Sequence, residues 1–270
     1  MKQNKTILFL SNMASPYQIE NCKYLNEKTS NDYYFIFYLQ RESNRPSYWD
    51  DIPFKPKNIK VLNGKPLIQY TIDIAKEVPD ISKIIISTDD NDIIDLSISL
   101  GVDVIKRPAE LSTDSSLVKD AIQYTVKKLE EEGNVIKYIL LLEPTSPLRK
   151  VEDIQKVIDK LKHNENDSVA TFSKSCISPG RLWKIDNNKL STFFKGSNPW
   201  LPRQQQPDAY ELNGLVYGFT RESLIKYKNE DSILVGNIDY VIVDRQVIDI
   251  DTMMDFLIVE KIMEKQNEKA

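Results

Sequence analysis

Short apolar runs alternate with helix-length amphipathic segments from residue 6 to about residue 167, and that alternation calls for an α/β fold with a mostly parallel sheet. Parallel neighbours need a crossover of a dozen or more residues, which the intervening helices supply. KIIIS at 83–87 is a β-branched run of the kind found in strands covered on both faces. Further strands are expected at 6–10, 33–39, 102–105 and 138–142, with helices at 17–27, from Pro66 to Lys76, and at 91–100, 115–132 and 151–162. Gly101 and Gly133 follow helices, where a left-handed cap is wanted. Beyond Asp167 the pattern turns to short strands at 168–172, 181–185 and 215–219, the mark of a β-rich excursion such as an oligomerisation arm or a lid. A strand at 240–243 and an amphipathic helix at 253–265 end the chain. With no repeats and no clear linker, one domain with an inserted arm is expected, together with an unusual N-terminal segment.

A net charge of -4, from 36 Lys and Arg against 40 Asp and Glu, gives no basic field for a nucleic-acid backbone. Phosphates would have to be held by local basic residues, and a small anionic ligand fits better than a polymer. No apolar run approaches the ~18 residues of a membrane span, and KTILFLSN lacks the cleavage pattern of a secretory signal, so a cytoplasmic protein is expected. Cys22, Cys176 and His163 are the whole inventory of soft ligands, which excludes a Cys/His zinc cluster and a disulfide framework.

Three segments carry the chemistry. LPRQQQPDAYELNGLVY at 201–217 offers a cation, amides and a glycine turn ahead of an apolar strand, a composition suited to gripping a polar anion; its alternative is a solvated turn. EPTSPLR at 143–149 follows a buried-type strand at the position that overlies the ligand crevice of open α/β sheets. There Arg149 either reaches an anion or ties the turn to the core. In IDIDT at 248–252 the carboxylates of Asp249 and Asp251 alternate along an extended segment and point to one face, an oxygen pair that suits Mg²⁺. The competing reading has Asp251 and Thr252 capping the next helix. STDD at 87–90 and KRPAELSTDSS at 106–116 close two strands and are also readable as helix caps.

Taken together, these segments over about residues 57–262 resemble the acylneuraminate cytidylyltransferases, the CMP-sialic acid synthetase family. The resemblance implies a Rossmann-like nucleotidyltransferase fold with a mostly parallel central sheet and a small β-rich dimerisation arm, placed at 173–200 with Trp183, Phe193, Phe194 and Trp200. It implies a homodimer that takes CTP and a nonulosonic sugar acid of the N-acylneuraminate or legionaminate type and releases diphosphate, with Mg²⁺ on Asp249 and Asp251. Catalytic roles fall on Asp249, Asp251 and Arg203, and nucleotide contacts on Arg41, Lys57, Asn58, Asp89, Arg107 and Ser116. Sugar contacts fall on Glu143, Thr145, Arg203, Gln204 and Asn213. Relatives of this kind commonly carry Gln where this chain has Glu143, and a hydroxyl where it has Val118.

Residues 1–56 depart from the pattern. The ARxxSKxxxxKN phosphate loop is absent, and the segment looks like the start of a Rossmann-type glycosyltransferase. Either residues 33–40 replace the first strand, leaving Arg41, Ser43 and Arg45 beside the phosphates, or the head is a fusion and triphosphate binding is lost. The alternative function is therefore a non-catalytic sugar- or nucleotide-binding paralogue.

Overall fold

Strand β1 (Lys5–Leu10) lies inside the seven-stranded main sheet of the computed structural model, which describes residues 5–10, 61–113, 116–163 and 165–268. It pairs in parallel with β4 (Lys83–Thr88) on one side and with β6 (Ile136–Leu141) on the other, and β5 (Asp103–Lys106) adds to β4, again in parallel. The slot that residues 33–40 were expected to fill is thus held by residues 5–10; residues 33–40, and the helix expected at 17–27, lie outside the described residues. A small hairpin, β2 (Val61–Leu62) with β3 (Lys65–Pro66), leads into helix α1 (Leu67–Lys76), which Pro66 opens as its composition suggests.

The second half of the sheet contains a strand of opposite direction. β10 (Tyr210–Thr220) runs antiparallel between β6 and β7 (Ser168–Lys174), and β11 (Ile238–Ile242) pairs in parallel with β7 at the edge. Residues 168–174 and 210–220 therefore belong to the main sheet. Among the described strands beyond residue 167, only the hairpin of β8 (Trp183–Asp186) and β9 (Lys189–Thr192) leaves it, a narrower excursion than the run of short strands suggests.

Alternation along β6 divides the core into two layers. Tyr138, Leu140 and Leu142 pack with α1, α2 (Asn91–Ser99) and α4 (Val151–His163); Ile139 and Leu141 face α3 (Val118–Glu131) and α5 (Arg221–Lys226). Helix α6 (Met253–Asn267) covers a third cluster, in which Phe256 and Val259 meet Leu62, Leu67, Leu148 and Ile250. Two boundaries have clear local causes. The carboxylate of Asp90 accepts from the Ile93 amide at 3.0 Å and starts α2. Helix α3 starts three residues later than the expected 115, because the Ser116 hydroxyl is turned back into the preceding loop. It donates to the Glu110 carbonyl at 2.9 Å and accepts from the Thr113 amide at 3.0 Å.

Helix α4 rests directly on the backbone of β10 at Gly218, where an added Cβ would stand 2.6 Å from Val157 Cγ1 and 2.7 Å from Leu161 Cδ1. Overpacking of this kind costs about 1–3 kcal/mol. Gly218→Ala is expected to lower the urea unfolding midpoint accordingly; an unchanged midpoint would show that α4 can move outward at no cost.

Candidate active site

Because β1, β4, β5, β6, β7 and β11 point one way and β10 the other, the carboxyl ends of six strands and the amino end of β10 share one edge of the sheet. The chain steps from β1 outward to β4 and β5, then returns to β6 on the other side of β1. Such a reversal of strand order opens a crevice at the carboxyl ends, the place where open α/β sheets bind ligands. Glu143 stands immediately beyond β6, at this point.

Three segments converge there. The Ile250 amide donates to the Thr145 carbonyl at 2.9 Å, which pins the IDIDT segment to the EPTSPLR turn. The fully buried Ser146 hydroxyl donates to Asp249 Oδ1 at 3.2 Å. From β10 comes Gly214, in the left-handed conformation with φ 69°. A Cβ at this glycine would meet Ser146 Oγ at 2.8 Å and both Asp249 Oδ2 and Glu143 Oε2 at 3.2 Å. Side-chain oxygens from two segments thus surround a space on the third that only glycine leaves open.

The electrostatics follow from this crowding. Burial, and then the negative charge of Asp249, push the Glu143 carboxyl up to about 7, with the Arg149 cation opposing and Asp251 adding to the effect. Half-buried Tyr217 has its phenol raised, first by burial and then by Glu143 and Asp249. Arg149 is buried and ties the turn to the core, which decides between its two sequence readings. It donates to the Glu143 carbonyl at 2.6 Å, the Gly214 carbonyl at 3.3 Å and the Thr71 hydroxyl at 3.0 Å, and also to the Leu215 carbonyl.

The proposed caps separate in the same way. Thr252 and Asp255 form a reciprocal capping box at the start of α6, so the cap belongs to them and Asp251 is left exposed beside the carboxylate group.

The other expected site residues are dispersed. Arg107 is buried with a guanidinium nitrogen 4.0 Å from Asp89 Oδ1, so these two sit together at the ends of β4 and β5. Ser116 serves the loop closure described above. Asn213 is buried and bonded internally, whereas Arg203 and Gln204 are exposed; Arg203 reaches the Cys176 carbonyl at 3.5 Å and is not brought to the Glu143 group. Arg41, Lys57 and Asn58 lie outside the described residues. The sequence marks a glycine turn at Asn213–Gly214 but does not show that Gly214 would lie against Glu143, Ser146 and Asp249.

Among the described residues no three His, Cys, Asp or Glu side chains gather closely enough to hold a metal ion unaided. The oxygen-only set around Gly214 nevertheless suits a hard cation such as Mg²⁺, which binds through one or two carboxylates and completes its shell with water and phosphate.

The sheet and its crevice define a nucleotidyltransferase-like α/β protein. In fold the chain is similar to a CMP:2-keto-3-deoxy-manno-octonic acid synthetase solved in complex with CTP, with a TM-score of 0.62 at 13% identity, covering 98% of this chain and 100% of that one. A cytidylyltransferase family model matches residues 53–244, and the chain belongs to that family of nucleotidyltransferase enzymes. It is 31% identical over 226 residues to the CMP-N,N'-diacetyllegionaminic acid synthase of Legionella pneumophila, covering 78% of this chain and 91% of that protein. It is 29% identical over 220 residues to the post-translational flagellin modification protein B of Campylobacter coli, covering 80% and 92%.

Glu143 sets a pH dependence. A carboxyl raised to about 7 in the folded state, against 4.5 when free, stabilises the fold fully below pH 4.5 and loses that contribution as pH rises through 7. Glu143→Gln cannot ionise, so in the presence of EDTA its stability relative to the parent should grow from pH 5 to pH 8 by on the order of 3 kcal/mol. Denaturant melts at the two pH values measure this, and parallel curves would mean that Glu143 is solvated.

Proposed function

We propose that this chain joins CMP from CTP to a nonulosonic sugar acid of the legionaminate or N-acylneuraminate type, with release of diphosphate. The observation that carries the reading is the convergence of Glu143, Ser146 and Asp249 over Gly214 at the strand-order reversal. The likeness to a CMP-diacetyllegionaminic acid synthase supplies the substrate class. In the reaction the anomeric hydroxyl of the sugar acid attacks the α-phosphorus of CTP, and the bond to the bridging oxygen of diphosphate breaks. Asp249 and Asp251 would hold Mg²⁺, which when bound supplies positive charge against the developing phosphate oxyanions. Arg107 with Asp89 takes the nucleotide side, while Glu143 and Thr145 take the sugar side. Buried Ser146 keeps the Asp249 carboxylate oriented, and a CTP donor fits a cytoplasmic enzyme.

A coupled assay of diphosphate release with CTP, Mg²⁺ and a panel of nonulosonic acids tests this directly. Turnover with a legionaminate- or neuraminate-type acid is expected. Asp251→Asn should lower turnover at least 10²-fold, about 2.7 kcal/mol of transition-state stabilisation. Its melting temperature should stay unchanged, since Thr252 and Asp255 hold the helix cap. Binding of CTP in calorimetry without any diphosphate release would instead establish a binding paralogue.

The same reading includes a homodimer joined through the arm. Ile185, Leu190 and Trp200 expose 77%, 64% and 84% of their surface, and Phe193 meets Phe194 edge to face on the outside of the chain. So much apolar surface on one excursion suits a protein interface. Replacing Ile185 and Leu190 together by Lys should convert a dimer to a monomer in light scattering after size exclusion. A monomeric parent would remove the arm from this role.

A further inference from the structure

The ladder between β7 and β10 contains a large irregularity. Leu212 pairs with Phe172, and the next pair is Tyr217 with Ala170, so residues 213–216 stand opposite the single Thr171. An excursion of four residues leaves backbone groups without strand partners, and within a sheet interior these must be satisfied in another way. Side chains do this here. The Thr171 hydroxyl donates to Asn213 Oδ1 at 2.6 Å and accepts from the Val216 amide at 3.0 Å. Asn213 Oδ1 also accepts from the Leu215 amide at 3.2 Å, and Asn213 Nδ2 donates to Ser173 Oγ at 3.0 Å. Thr171 is 1% exposed and Asn213 8%. Both are buried and bonded to other parts of the chain.

The excursion is what carries Gly214 to the site. Its shape sets the left-handed turn beneath Glu143, Ser146 and Asp249, and it directs the Gly214 and Leu215 carbonyls to Arg149. We propose that Thr171 is a positioning residue for the transfer reaction: its hydroxyl, acting through Asn213, fixes the β10 excursion and thereby the spacing of Gly214 from Glu143 on the sugar side. Asn213, on this account, shapes the site from beneath in place of contacting the sugar. The inference rests on the reaction proposed above for its kinetic effect, whereas the clamp itself can be read without any substrate.

The experiment compares the parent with Thr171→Val, which keeps the shape and removes the hydroxyl, and Thr171→Ser, which keeps the hydroxyl. In hydrogen exchange of the substrate-free protein, the amides of residues 213–216 should exchange at least tenfold faster in T171V than in the parent or T171S. In the diphosphate assay, T171V should lose at least tenfold in kcat/KM for the sugar acid while its KM for CTP stays within twofold, and T171S should remain within threefold of the parent. The clamp is refuted if exchange is unchanged in T171V. The positioning role is refuted if T171V keeps full kcat/KM, if T171S is equally impaired, or if CTP and sugar acid suffer alike. A parent that binds CTP but releases no diphosphate overturns the proposed reaction and the kinetic role with it, while the exchange result still decides whether the clamp exists.

Discussion

A single buried cation holds the active edge of this protein together. Arg149, 3% exposed, spends its donors on the carbonyls of Glu143, Gly214 and Leu215 and on the Thr71 hydroxyl. It thereby fastens the end of β6, the excursion in β10 and helix α1 to one another. Burying a guanidinium costs several kcal/mol, and only well-placed acceptors offset that cost. Burial lowers its pKa to about 10, with Glu143, Asp153 and Asp249 opposing the shift, so the charge persists at neutral pH. The cation therefore has a second effect, since it moderates the repulsion between Glu143 and Asp249 that the fold forces together. Arg245 repeats the device on a smaller scale: its fork grips buried Asp153 and the Leu148 carbonyl, binding the segment ahead of IDIDT to the start of α4.

The parts legible in the sequence are those whose cause is local. Residues 83–88 form a strand because β-branched side chains fill both faces, and Pro66 and Asp90 open helices through their own geometry. Direction is not local: LVYGFT packs as well in either sense, so nothing in it announces that β10 runs against its neighbours in the middle of the sheet. KLST at 189–192 has no buried face, and RESLIK is too short for a helical period to stand out. At the crevice, Glu143 and Asp249 stand together, and both were named from their motifs. Arg203 and Asn213 read alike as polar contacts, yet one is exposed beside Cys176 and the other is consumed within the sheet. Side-chain type was visible in advance, but its partner was not.

The capping box shows how the acids of IDIDT stay out of the helix start that follows them. A helix start must satisfy its leading amides, and an aspartate placed there is ordinarily drawn into that task. Here Thr252 and Asp255 satisfy the start of α6 between themselves. Ile250 sits between the two remaining acids, 2% exposed, with its amide bound to the Thr145 carbonyl. That anchor fixes the alternation: with Ile250 locked inward, Asp249 turns to Ser146 and Gly214 while Asp251 stays at the surface beside it. One carboxylate is held in the crevice by Ser146 and the other faces solvent, clear of the burial penalty that Glu143 bears. The division of labour among Ile250, Thr252 and Asp255 thus keeps both acids out of the helix cap, and the sequence places all five residues within 249–255.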